Sequence, residues 1–119
     1  MSDDRLYLSH IADSINQIRI YTRAGREEFL GNRLVQDGVI RNFEVIGEAA
    51  KRLSPAATTG APAVPWRRVA GFRDVLIHNY MGIDLGAVWN VIENELPTLE
   101  REVRRLLQQI GTDTKSLPT

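Results

Sequence analysis

The chain has 119 residues, 43% of them apolar and 25% charged, which is enough to build one compact domain and too little for two. Its 15 Lys and Arg balance its 15 Asp and Glu, so no global field draws it to nucleic acid or membrane, and any such contact must come from a local patch. Cysteine is absent, which excludes disulfides, iron–sulfur clusters and most zinc sites and fits a reducing, cytoplasmic location. The first residues, Met1 to Arg5, are acidic and lead into no long apolar run, unlike a signal peptide, and no segment reaches the ~20 apolar residues that a bilayer span requires.

Leu8, Ile11, Ile15 and Ile18 recur at intervals of three and four, with Asp13, Asn16, Gln17 and Arg19 between them, and predict an amphipathic helix that starts near Ser2 to Asp4 and stops before Gly25. Arg26 to Leu30 adds one short turn. Asn32 is a good N-cap, and Val35, Val39, Phe43, Ile46, Ala50 and Leu53 trace a second apolar stripe that ends at Ser54-Pro55. Ile40, Gly47 and Ala49 widen that stripe beyond what a helix packed on one side needs. Either this helix is central and covered on both sides by its own chain, or it carries a subunit interface.

Ala56 to Pro65 reads as a loop, and Pro65 suits the first turn of the next helix, where Trp66, Val69, Leu76, Tyr80 and Arg73 share one side. Gly82 is a natural stop and Asp84 the cap of a fourth helix through Leu85, Val88, Trp89, Ile92 and Leu96. Pro97 predicts a kink or a fresh start before Leu99, Val103, Leu106, Leu107 and Ile110. Residues 112–119 are expected to be a flexible tail. With no strand-period segment, hairpin signal or repeat, the fold class is all-α, an up-and-down helical bundle of four to five helices forming a single domain over 1–111.

The segment from Gly71 to Asp84 concentrates the chemistry. Arg73 and Tyr80 are seven steps apart, ~20° short of two full turns, so guanidinium and phenol project from one face. Asp74 and His78 lie four apart and can also meet. An arginine can stabilise the extra negative charge on a phosphodiester under attack, and a neutral imidazole can take the proton from the attacking oxygen. RNA carries its own nucleophile, the 2′-hydroxyl, and the chain has no compact His or carboxylate cluster with ligand spacing, so the natural route uses no metal and no cofactor. Asp74 would hold the imidazole in one tautomer. One histidine does not easily serve as both base and acid, a difficulty that a two-fold dimer removes. Arg67 and Arg68 are near enough in sequence to add phosphate contacts. Cations at a helix C-terminus and Asp–His pairs at this spacing are also ordinary features of solvated helices, so spacing alone does not make a site. His10 reads as a surface or rim residue, Trp66 and Trp89 as core anchors, and Arg101, Arg104 and Arg105 as solvated faces.

Arg73-Asp74-Val75-Leu76-Ile77-His78-Asn79-Tyr80 matches the pattern arginine, four residues, histidine, any residue, tyrosine, with a polar residue directly after the arginine. In this, in the flanking Gly71-Phe72 and Met81-Gly82-Ile83-Asp84, and in the stretch from Arg41 to Ser54, the chain resembles the HepT family, toxins of the HEPN superfamily of helical ribonucleases. The likeness runs to Ile110.

The resemblance implies a HEPN-like homodimer, with higher hetero-oligomers possible, whose paired motifs form a metal-independent RNase site in a cleft between subunits. Arg73 and His78 would be the catalytic pair, Asp74 their polar support, and Asn79 a polar contact to RNA. It also implies a type VII-like toxin–antitoxin system, in which an MntA-like minimal nucleotidyltransferase antitoxin transfers AMP to Tyr80. The alternative, from a different class, is a non-catalytic helical dimer that binds the nucleotidyltransferase.

Overall fold

The computed structural model describes residues 3–78 and 82–115, and every described element is helical. The helices are α1 (Asp4–Tyr21), α2 (Arg26–Gly31), α3 (Arg33–Lys51), α4 (Pro55–Thr59), α5 (Trp66–His78), α6 (Leu85–Asn94) and α7 (Leu96–Lys115). Five are long, as expected, and α2 and α4 are short insertions between them.

α1 buries the periodic set Leu8, Ile11, Ile15 and Ile18, together with Ser14. Its start is fixed from a distance, because the Asp4 carboxylate accepts from the Ser54 backbone N–H at 2.9 Å and from its hydroxyl at 2.6 Å. Ser54 also caps α4, accepting from the Ala57 N–H at 3.2 Å, so one serine closes the corner after α3 and ties it to α1. This cap makes a turn of helix from a stretch whose Thr, Gly and Pro content reads as loop.

Gly25, at φ 97°, occupies the left-handed region that favours glycine and turns the chain from α1 into α2. α2 delivers Phe29, fully buried with its ring 5.6 Å from that of Trp89. The Gln36 amide donates to the carbonyls of Phe29 and Leu30, satisfying backbone acceptors at the end of α2. Asn32 caps α3 as expected, accepting from the N–H groups of Leu34 and Val35 at 3.0 and 3.2 Å.

α3 is the axis of the molecule. α1 packs along one side and α5 along another, and Val39, Phe43, Ile46, Gly47, Ala49 and Ala50 are all buried. The wide apolar surface of α3 is therefore covered by its own chain, which resolves its breadth without a subunit interface. α7 lies against α1 and buries Leu96, Leu99, Val103 and Leu106, with Arg19 of α1 reaching Glu100 at 2.8 Å.

Asp84 caps α6, accepting from Ala87 N–H at 3.0 Å, and α6 ends at Asn94. α7 makes a fresh start at Leu96, with Pro97 in the first turn, where its missing N–H leaves no helical bond unmade. α7 continues to Lys115, beyond the expected start of the tail. Trp66 and Trp89 are half-buried at the core edge, Trp66 donating to the Ala61 carbonyl at 3.0 Å. Among the described residues no helix is long and apolar enough to cross a membrane.

Candidate active site

α5 is carried by α3 through an unusually close approach. A Cβ built on Gly47 would lie 2.6 Å from Arg73 Cβ and 3.3 Å from the carbonyl oxygens of Val69 and Ala70, so only a glycine lets the two backbones meet at this point. The T-shaped pair of Phe43 and Phe72, with centroids 5.3 Å apart, holds the same crossing.

At that crossing Arg73 is drawn toward α3. Its Nε lies 3.4 Å from Glu48 Oε1 and its Nη1 3.4 Å from Asp74 Oδ1. Glu48 is shared, because its other oxygen accepts from Arg52 Nε at 3.2 Å. Arg52 is held more firmly protonated than an ordinary arginine, first by that bond to Glu48 and then by the nearby Tyr7 phenol. The result is a chain of polar groups across three helices, from Tyr7 on α1 through Arg52 and Glu48 on α3 to Arg73 on α5. Arg73 and Glu48 keep 34% and 41% of their side-chain surface exposed, so their pair contributes at most ~1 kcal/mol to stability. These groups line an open groove of about 440 Å³, with His10 at its edge beside Tyr7, ring centroids 6.3 Å apart.

His78 stands exposed in the last turn of α5. Five residues separate it from Arg73, about 140° around the helix, so the two groups leave α5 in different directions. The expected Asp74–His78 bond is not formed. Asp74 is instead turned to the guanidinium one residue before it, a permanent cation that outcompetes an imidazole for a carboxylate. Among the described residues His78 has no hydrogen-bond or ionic partner.

Arg67 is exposed on α5, whereas Arg68 is engaged elsewhere, its Nη2 2.6 Å from Glu95 Oε1 at the α6–α7 joint. Five residues from Arg73, it too points about 140° away, over a largely apolar groove lined by Phe43, Val64, Phe72, Val91 and Leu99. Nearness in sequence therefore does not place Arg68 beside Arg73. Asn79 and Tyr80 lie outside the described residues. Among the described residues no cluster of three or more His, Cys, Asp or Glu could hold a metal ion.

The stretch with this close Gly47–Arg73 crossing matches a family model described as HepT-like, Ribonuclease HepT-like, over residues 11–106. The chain belongs to the HepT-like ribonuclease family. It is 38% identical over 101 residues to "Probable ribonuclease HepT" of Thermococcus cleftensis, covering 84% of this chain and 92% of that one. It is 34% identical over 117 residues to "Putative RNase MJ1216" of Methanocaldococcus jannaschii, covering 97% of each. With "Gamma-glutamylcyclotransferase and putative RNase MJ0434" of the same organism it shares 38% identity over 109 residues, 91% of this chain but about half, 49%, of that longer protein. No solved structure matches. The matched span contains α2 to α6 whole, the second part of α1 and the first half of α7, so every side chain of the α1–α3–α5 groove from Arg41 to Arg73 falls inside it, and only Tyr7 and His10 fall just before.

Sequence reasoning missed Glu48 and Arg52 as neighbours of Arg73. Both stand in the Arg41 to Ser54 stretch, and the available signal was Gly47, a glycine at a buried position in mid-helix, which marks a close backbone approach and hence what lies next to it.

Proposed function

We propose that this protein is a metal-independent endoribonuclease toxin in which Arg73 and His78 act together at a cleft between two copies of the chain. The observation that carries this reading is the divergence of the two side chains on one α5, Arg73 anchored against α3 and His78 exposed at the helix end, in a chain of the HepT-like ribonuclease family. A two-fold axis beside α5 brings the histidine of one copy to the arginine of the other.

In the reaction, neutral His78 takes the proton from a ribose 2′-hydroxyl as its oxygen attacks the adjacent phosphorus. Arg73 neutralises the charge that builds on the non-bridging oxygens, and the P–O5′ bond breaks to leave a 2′,3′-cyclic phosphate and a 5′-hydroxyl. The second His78 of the dimer, as imidazolium, protonates the departing 5′-oxygen. Asp74 supports the site through Arg73, which it contacts, rather than through the imidazole. Arg67 and Asn79 are offered as RNA contacts, and Arg68 becomes one only on release from Glu95.

The same reading makes Tyr80 the acceptor of AMP from a minimal nucleotidyltransferase antitoxin encoded as its partner. Each added adenylate would bring a negative phosphate and bulk to a site built to hold the phosphate of RNA. The deciding experiment incubates purified, unmodified protein with total RNA in chelator, beside a His78→Ala control. Cleavage by the first alone is expected. No cleavage, or equal cleavage by both, removes the nuclease reading and leaves a helical dimer that only binds its nucleotidyltransferase.

A further inference from the structure

A guanidinium stabilises a reacting phosphate only if its N–H groups point at the oxygens where charge develops, and a free arginine side chain has many rotamers that point elsewhere. Arg73 has one anchor outside its own helix among the described residues, the ion pair of its Nε with Glu48. Glu48 is itself set in place, because the Arg52 guanidinium holds its second oxygen. The absence of a side chain at Gly47 brings Arg73 within reach of this carboxylate.

We propose that Glu48 is a positioning residue for Arg73: it holds the Nε edge of the guanidinium, so that the Nη N–H groups not turned to Asp74 face the scissile phosphate. The proposal rests on the ribonuclease reading for its consequence in catalysis, but the anchoring itself does not. Two opposed expectations separate this role from that of a bystander charge. A surface carboxylate near bound RNA repels it, so neutralising a bystander would tighten RNA binding and leave turnover equal or faster. Neutralising a positioning residue frees the arginine, so turnover falls although RNA binds as well or better.

The experiment uses the full chain with an RNA oligonucleotide that the wild type cleaves, comparing Glu48→Gln, Glu48→Asp and wild type. The isosteric Gln variant should fold, because both pairs it loses, with Arg73 and with Arg52, are partly exposed. For Glu48→Gln a fall in kcat of about 10- to 100-fold is expected, the scale of effect that loss of alignment produces, with KM unchanged or lowered. Glu48→Asp, which keeps the charge, should recover part of the loss. The Arg73 Nε–H signal in a 1H–15N spectrum should be distinct in the wild type and collapse toward the exposed-arginine envelope in Glu48→Gln.

Wild-type kcat in Glu48→Gln, a loss expressed only as raised KM, or an unmoved Arg73 Nε–H signal overturns the proposal while leaving the nuclease reading intact. An inactive wild-type protein instead removes the nuclease reading, and the resonance then reports on the anchor alone.

Discussion

His78 and Arg73 differ in how they meet the rest of the molecule, and their variants should differ accordingly. His78 is exposed and makes no described polar contact, so His78→Ala should leave stability within about 0.5 kcal/mol of wild type while reducing cleavage by about 10²- to 10⁴-fold, measured by thermal melts and initial rates on one RNA. Arg73→Ala should lose about 10²- to 10³-fold in kcat and also leave Glu48 with one cation fewer. Tyr80 is the contrasting residue: a phenol is a poor base near neutrality, so Tyr80→Phe should retain most cleavage. With nucleotidyltransferase, ATP and magnesium, mass spectrometry should place the added adenylate on the wild-type Tyr80 peptide, with Tyr80→Phe unmodified and still toxic. Adenylate elsewhere, or a Tyr80→Phe protein silenced by covalent modification, would remove Tyr80 from that role. At this scale the sequence was legible in types but not in partners. The i, i+4 spacing of Asp74 and His78 says that they can meet, and it is silent on the guanidinium that wins the carboxylate. Glu48 was hidden because its relation to Arg73 depends on how two helices cross, 25 positions apart in the chain.

Between elements, the α3–α5 crossing is the contact on which the site depends. Gly47→Ala places a methyl group where Arg73 Cβ already lies, so α5 must shift; a cost of about 1–3 kcal/mol and a loss of cleavage are expected, against little change for Gly71→Ala, which has open space around it. Denaturant melts and rates on both variants check this. α7 offers a pH test. The hydrogen bond from Arg105, at 2.8 Å, holds the Glu102 carboxyl below its usual range, aided by its attraction to the same arginine and to Arg101 and opposed by burial. A carboxyl lowered on folding contributes stability that is fully present above its unfolded pKa of ~4.3 and lost as pH falls through the folded value. Glu102→Gln should therefore flatten the acid side of a stability–pH curve below ~4.3 while leaving its shape near neutrality unchanged. The long helices were readable because each has a strong apolar period, and the cap residues Asn32 and Asp84 act where the sequence places them. α4 was not, because a five-residue helix has no period to detect and is stabilised by a serine whose second partner, Asp4, is 50 residues away.

As a whole, the chain covers its own broadest apolar helix, so it is the divergence of Arg73 and His78, and not the width of α3, that calls for two copies. That makes a quantitative test available. If each site joins Arg73 of one copy to the basic His78 of the other, a mixed dimer of Arg73→Ala and His78→Ala chains has one site that keeps both of these groups and one doubly defective site, and it lacks the second His78 that acts as acid. Since random exchange makes half of all dimers mixed, a 1:1 mixture of two inactive proteins should regain about a quarter of wild-type activity on a ribonucleoside 3′-aryl phosphate, whose leaving group departs without a proton. No recovery after verified exchange, or a fully active monomer in sedimentation, would rule out the composite site.

The packing of α5 has a consequence in time as well as in space. Of its 13 residues only Leu76 is buried, against six of 19 in α3, and beside the Phe43–Phe72 contact it borders a groove. Amide protons on such a helix can reach solvent through local opening, without global unfolding, so deuterium should enter α5 well before α3 or α1. The helix that bears the motif would then be the first long one to open, and its exchange rate a direct measure of how firmly a partner, a second copy or an RNA strand clamps it down.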